Sequence, residues 1–309
     1  MNAPDHPETA HSRAGHDHPR GGFPLGLGAY GLWGFLPIYF KALSGVSAVD
    51  IVAHRVLWSL PFLALLTALT RGWDKVRSAF AQPKTLGILA LTALLIATNW
   101  LLYVYAVTSG HILASSFGYY LNPLANVLLG RFVLGERLTR LQWMAVAIAA
   151  AGISVLAAGA AGQLWISLSL CATFALYGLL RKVVAADAMS GLAVETALLF
   201  PFAVTWLAWR TAAAAPSFGS NHFETGLLVL AGIVSTTPLL LFTAAARKLA
   251  YSTLGMLQFL APTLQFLIGV YYGEPFTTAH AIAFPAIWIA LALYVTALLR
   301  APRLPQAPE

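Results

Sequence analysis

Ser115, Tyr119, Asn122 and Asn126 are spaced i, i+4, i+7 and i+11, which sets four hydrogen-bonding side chains along one face of a helix. Gln258, Pro262 and Gln265 repeat that spacing later in the chain, with Gln258 standing where Tyr119 stands and Gln265 where Asn126 stands. Both sets lie inside otherwise apolar runs. A polar side chain in such a run needs a protein partner, a water-filled cavity or a ligand. Asn99, Trp100 and Tyr103 in one neighbouring run, and Thr236 and Thr237 beside Pro238 in another, add groups at matching depth. Trp33 and Tyr177 supply aromatic surface from two further runs. The chemistry available is neutral hydrogen bonding against aromatic walls, which suits a small ligand of mixed polarity. No charge is expected at that depth, which argues against a strongly ionic ligand. The alternative is that these groups hold helices together, at about 0.6 kcal/mol each. Their symmetric placement beside Pro123 and Pro262 favours a cavity, since each proline frees a carbonyl one turn earlier, at Tyr119 and Gln258.

The ionisable residues stand nearer the ends of the runs. Aligning Pro61 with Pro201 places Arg55 over Glu195, while Glu136 and Glu274 each close a helix in a Gly-Glu pair. One interpretation is a pair of gates, Arg55 with Glu274 on one side and Glu195 with Arg181 or Arg137 on the other. The other is interfacial anchoring, where long charged side chains reach water cheaply.

The elements that must position these groups follow from composition. Only 9% of residues are charged and 59% are apolar, against roughly a quarter charged in a soluble domain. The expected fold is therefore an all-α polytopic membrane protein. Apolar windows of about 20 residues fall at 24–42, 51–70, 86–107, 113–134, 141–158, 164–182, 192–210, 226–246, 252–273 and 279–299, which predicts ten transmembrane helices. With the N-terminus inside, 15 of the 18 Lys and Arg residues fall on the cytoplasmic side, which places both termini there. The stretches 121–139 and 260–277 match at Leu121/Leu260, Pro123/Pro262, Leu128/Leu267, Gly130/Gly269, Gly135/Gly273, Glu136/Glu274 and Thr139/Thr277. Five helices per half is an odd number, so the two repeats are expected to be inverted, as in many secondary transporters. The predicted divisions are a disordered tail over 1–22, five-helix repeats over 23–160 and 161–300, and a short tail over 301–309.

Several classes are excluded or disfavoured. There is no HExxH, GxSxG or Walker loop, so neither an enzyme nor a primary pump is expected. No cofactor is implied. Cys171 is the only cysteine, which rules out an intrachain disulfide. The net charge of +7 reflects loop retention in the cytoplasm rather than nucleic-acid binding. His6, His11, His16 and His18 in the N-terminal tail leave metal binding open beside plain disorder. The expected partners are a small-molecule substrate and the lipid bilayer, and the chain is expected to be a monomer.

The strings GAYGLWGFLPIYFK, AHRVLWS, NWLLYVYAV, GYYLNPLANVLLGRFVLGERL, YGLLRK, TTPLLLFTAAARKL and STLGMLQFLAPTLQFLIGVYYGE resemble the RarD branch of the EamA family, in the drug/metabolite transporter superfamily. The resemblance runs in order from Phe23 to Leu299. It implies two inverted five-helix repeats in a bacterial inner membrane, and export of small metabolites or drugs; the branch name is linked to chloramphenicol sensitivity. Where the family carries Glu before the fourth helix this chain has Ala114, so a proton-coupling role for that carboxylate does not carry over. A non-transporting membrane sensor or partner subunit is the alternative function.

Overall fold

The computed structural model describes residues 21–108, 112–157, 164–213, 218–219, 221–271 and 278–300. Among them every regular element is helical: α1 Gly22–Ala42, α2 Ala48–Leu69, α3 Trp73–Ala81, α4 Pro83–Thr108, α5 Ile112–Phe132, α6 Arg140–Ala157, α7 Leu164–Val183, α8 Ala188–Ala212, α9 His222–Lys248, α10 Tyr251–Gln258, α11 Leu260–Tyr271 and α12 Thr278–Arg300. Seven of these, in α1, α2, α4, α7, α8, α9 and α12, are long and apolar enough to cross a membrane. Large apolar side chains such as Phe132, Phe202 and Leu299 lie exposed on the outside of the bundle. In water that surface would be a liability; against lipid it is the expected exterior.

Two features depart from the predicted windows. Residues Trp73–Ala81 form a short extra helix, α3, on the charged stretch between α2 and α4. The window 252–273 is not one helix but two, α10 and α11, broken at Phe259. Pro262 is the cause: it has no N–H to give the Gln258 carbonyl, and the chain tightens there, with Phe259 N–H donating to Met256 O instead. Pro123 occupies the matching place in α5, yet α5 runs through it unbroken.

Short-range signals set the helix starts. Ser47 accepts from the Asp50 N–H at the head of α2, Asp187 from the Ser190 N–H at the head of α8, and Asn221 from the Phe223 N–H at the head of α9. After α5 the chain turns at Gly135, whose φ of +70° suits a residue without a Cβ. That turn delivers the Glu136 carboxylate to the free N–H groups at the start of α10, where it accepts from Tyr251 N, Ser252 N and Ser252 Oγ. The ends of α7 and α9 close on each other. Lys182 Nζ donates to Ala246 O and Leu249 O of α9, and Arg247 donates to Val184 O and Ala186 O beyond α7.

The helices pack in eight main pairings: α1 on α9, α4 on α7, α2 on both α8 and α9, α5 on α7 and α10, α1 on α11, and α6 on α12. One apolar core runs through α1, α4, α7, α8, α9 and α10; a second joins α5, α6, α10 and α12.

Candidate functional site

Arg55, two turns into α2, lies half-buried among helices from both halves of the chain. Its Nε donates to Ser235 Oγ of α9 at 2.7 Å, and its guanidinium carbon stands 4.3 Å over the Trp100 ring of α4. Cation–π contact of this kind is worth about 0.5–2 kcal/mol, more where water is excluded. One residue before Trp100, Asn99 is buried and donates from Nδ2 to Leu170 O and Thr173 Oγ1 of α7, at 2.9 and 3.0 Å. Its Oδ1 accepts from the Tyr119 hydroxyl of α5 at 3.2 Å, and the Tyr119 ring packs 5.8 Å from that of Tyr103. Five helices thus meet in one polar cluster. The expectation of a site without charge is corrected here, because Arg55 rests on Trp100, one of the residues expected to bind ligand. Glu274, its expected gate partner, lies outside the described residues.

The second charged group sits nearer the end of the bundle where α7 gives way to α8. Arg181 Nε is 3.4 Å from Glu195 Oε1, with side chains 0% and 1% exposed. Glu195 also accepts from Thr92 Oγ1 at 2.5 Å and from the Tyr177 hydroxyl at 3.4 Å. Arg181 Nη2 donates further to the carbonyls of Asp187 and Ala188. Gly191 makes room for it: a Cβ there would collide with the guanidinium. Of the two expected partners for Glu195, Arg181 is brought to it, whereas Arg137 lies exposed. Asp187, in the turn before α8, pairs with Lys75 of α3 at 3.2 Å. Burial pushes its carboxyl up, but the Ser190 N–H and hydroxyl, with Lys75, outweigh that and hold it below the usual carboxylate range.

An aromatic layer lies over Glu195. Tyr177 stacks on Phe242 at 6.3 Å, and Trp33 contacts Phe174, Phe242 and Tyr30 at 5.6–5.8 Å. Trp33 and Tyr177 thereby both pack on Phe174 and Phe242. Gln265 is tied to the same layer, its Nε2 donating to Trp33 O at 2.9 Å.

The remaining expected residues divide. Asn126 Nδ2 donates to Gln258 Oε1 at 2.9 Å, joining α5 to the first half of the broken helix. Asn122 is fully buried beside them, and neither atom of its amide has a hydrogen-bond partner among the described residues. Thr236 donates to Ser59 Oγ at 2.7 Å, and Ser59 to Gly232 O, where the backbones of α2 and α9 touch. That pair is helix–helix adhesion of the kind expected for small polar residues in lipid. Thr237 is half-buried one residue on. Ser115 and Ala114 belong to α5, but their side chains fall outside the described set.

Sequence patterning missed Thr92, Thr173 and Ser235, the hydroxyls that hold Glu195, Asn99 and Arg55. Thr92 and Thr173 are single hydroxyls in apolar stretches and Ser235 adjoins Thr236 and Thr237; only the rotation of each helix aims these side chains at the site.

Comparison with known proteins follows the same outline. Residues 20–158 match the EamA-like transporter family. The chain is 42% identical to Protein RarD of Escherichia coli over 285 residues, covering 89% of this chain and 94% of that one. It is 44% identical to an uncharacterized transporter of Vibrio cholerae over 275 residues, covering 88% and 91%. It is 35% identical over 277 residues to a chloramphenicol-sensitive protein RarD of Pseudomonas aeruginosa, covering 88% and 92%. A crystal structure superposes with a TM-score of 0.71 over 92% of this chain and all of that one, at 20% identity, which establishes likeness of fold.

Proposed function

Because the chain belongs to the EamA-like transporter family, in the branch that carries the name RarD, we propose that it exports a small amphipathic molecule by alternating access. The observation that carries this is the cluster of Arg55, Trp100, Asn99 and Tyr119, built jointly by α2, α4 and α5 of one half and α7 and α9 of the other. A binding group shared between two halves is what a rocking transporter needs, since relative motion of the halves opens it to one side or the other.

The proposed architecture is ten membrane crossings in two inverted repeats, 23–160 and 161–300, with α10 and α11 counted as one broken crossing. The packing supports it. Exchanging α1 with α7, α2 with α8, α4 with α9, α5 with α10–α11 and α6 with α12 turns α1–α9 into α7–α4, α2–α9 into α8–α4, and α5–α7 into α11–α1, all of which occur. The pairs α2–α8, α5–α10 and α6–α12 map onto themselves, as two-fold-related contacts do. We place the protein in the bacterial inner membrane with both termini in the cytoplasm, on the distribution of its basic residues.

The family name on one relative makes chloramphenicol a reasonable first probe. Counterflow in proteoliposomes, run with chloramphenicol and a panel of aromatic amides, carboxylates and amino acids, is expected to show protein-dependent exchange. Asn99→Ala and Tyr119→Phe should slow it without lowering the amount of folded protein. No exchange above protein-free liposomes for any member would leave a membrane sensor or partner subunit as the function.

A further inference from the structure

Among the described residues Arg55 holds only neutral partners. Its Nε is used by Ser235 and one face of its guanidinium by Trp100, but its two terminal nitrogens donate to no group among the described residues, and it enters no ion pair. Among the described residues, the titratable side chains that act on it electrostatically are the phenols of Tyr119, Tyr39 and Tyr103. The buried and half-buried acids that are described are committed elsewhere: Asp50 to Arg210 and Trp206, Glu195 to Arg181 and Thr92, and Glu136 to the head of α10. Glu274 lies outside the described residues; among those described no carboxylate meets the free edge of the Arg55 guanidinium, and a planar carboxylate ligand would meet that fork with two parallel hydrogen bonds.

We propose that the ligand of this site is a small aromatic monocarboxylate, its carboxylate on the free edge of Arg55 and its ring against Trp100 and Tyr103. The proposal rests on the transport site described above and narrows its substrate class. One cation calls for one negative charge, so a phosphate dianion is a poorer match. A zwitterion fares worse as well, because no described acid stands by the cluster to receive an ammonium group.

The test is binding to the purified full chain in lipid nanodiscs, in chloride-free buffer, read by isothermal titration calorimetry and by the shift of the unfolding temperature. Indole-3-acetate, indole-3-acetamide and tryptophan carry related rings with net charge −1, zero and zero as a zwitterion. Indole-3-acetate should bind at least about tenfold more tightly than either, since a charge-assisted pair adds more than a neutral hydrogen bond. Arg55→Gln should erase that preference and Arg55→Lys should keep part of it, so that Arg55→Lys reads the preference even if Arg55→Gln does not fold. Equal binding of all three probes, no binding of the carboxylate at millimolar concentration, or equal stabilisation by chloride alone would overturn the proposal. If Asn99→Ala still weakens binding of the neutral probe, the site stands and only the anion preference falls. If no variant of Asn99, Tyr119 or Arg55 alters binding of any probe, the site itself is misplaced.

Discussion

Arg181 and Glu195 form an ion pair sealed completely inside the protein, 3.4 Å from nitrogen to oxygen, with the guanidinium also reaching two backbone carbonyls before α8. The pair is separated by 14 residues in sequence and joins the end of α7 to the second turn of α8. Because neither charge reaches water, each depends on the other.

Removing one partner should cost far more than removing both. Glu195→Gln keeps the bond to Thr92 but strands Arg181, and should lower stability by about 3–5 kcal/mol. The double variant Glu195→Leu with Arg181→Met should recover most of that, seen as a higher unfolding temperature in detergent than either single change. If the pair also gates the transport path, the double variant stays folded yet shows altered cysteine accessibility from the two sides of the membrane. Wild-type accessibility and transport in the double variant would reduce the pair to a packing role.

Gly191→Ala should reproduce the Arg181 defect without touching a charge. The added methyl group meets the guanidinium directly and must push it off Glu195. Thermal unfolding should show a loss close to that of Arg181→Met alone. A loss below about 1 kcal/mol, the ordinary gain in helix propensity from Gly to Ala having been credited, would show that the guanidinium has room to shift.

Asn122 is buried with both amide atoms unpartnered, a penalty of about 1–3 kcal/mol. Asn122→Leu should therefore raise the unfolding temperature. If the amide finds its partner in the opposite conformation or on the ligand, the same variant slows counterflow. A variant that is less stable than wild type would mean that Asn122 is already satisfied, for instance by an internal water.

The pH dependence near the turn at Asp187 has a defined sign. Its folded carboxyl titrates below the usual range, so its contribution is fully present above the unfolded value of about 3.9 and is lost as pH falls through the folded value. Unfolding temperatures of wild type and Asp187→Asn should differ at neutral pH and converge in acid. Asparagine still caps a helix well, and Lys75 is largely exposed, so the neutral-pH difference should stay near or below 1 kcal/mol. Curves that remain parallel down to low pH would remove Asp187 as the source.

Topology is checked by fusion. Alkaline phosphatase attached after residue 309 should be inactive and attached near residue 220 active, because the proposed orientation puts the first inside and the second outside. The reverse result would invert the orientation.

Hydropathy alone determined that the chain is helical and that its long apolar runs cross a membrane, since a bilayer demands some 20 apolar residues per crossing and forbids unpaired backbone. The repeated LNP and LAP segments located the residues that pack α5 against α10, and Asn99, Trp100, Tyr103 and Tyr119 were legible as polar or aromatic groups at matching depth. The sequence did not show which way each helix is turned. When residues facing protein and residues facing lipid are equally apolar, periodicity carries little trace of the inward face. Only tertiary packing therefore decided that Thr236 binds Ser59, that Trp33 joins the layer over Glu195, and that Arg55 rests on Trp100. Helix α3, nine residues with charges on one side, lay below the length at which an apolar window registers. The difference between Pro123 and Pro262 was likewise set by surroundings: the same missing N–H leaves α5 continuous and divides α10 from α11.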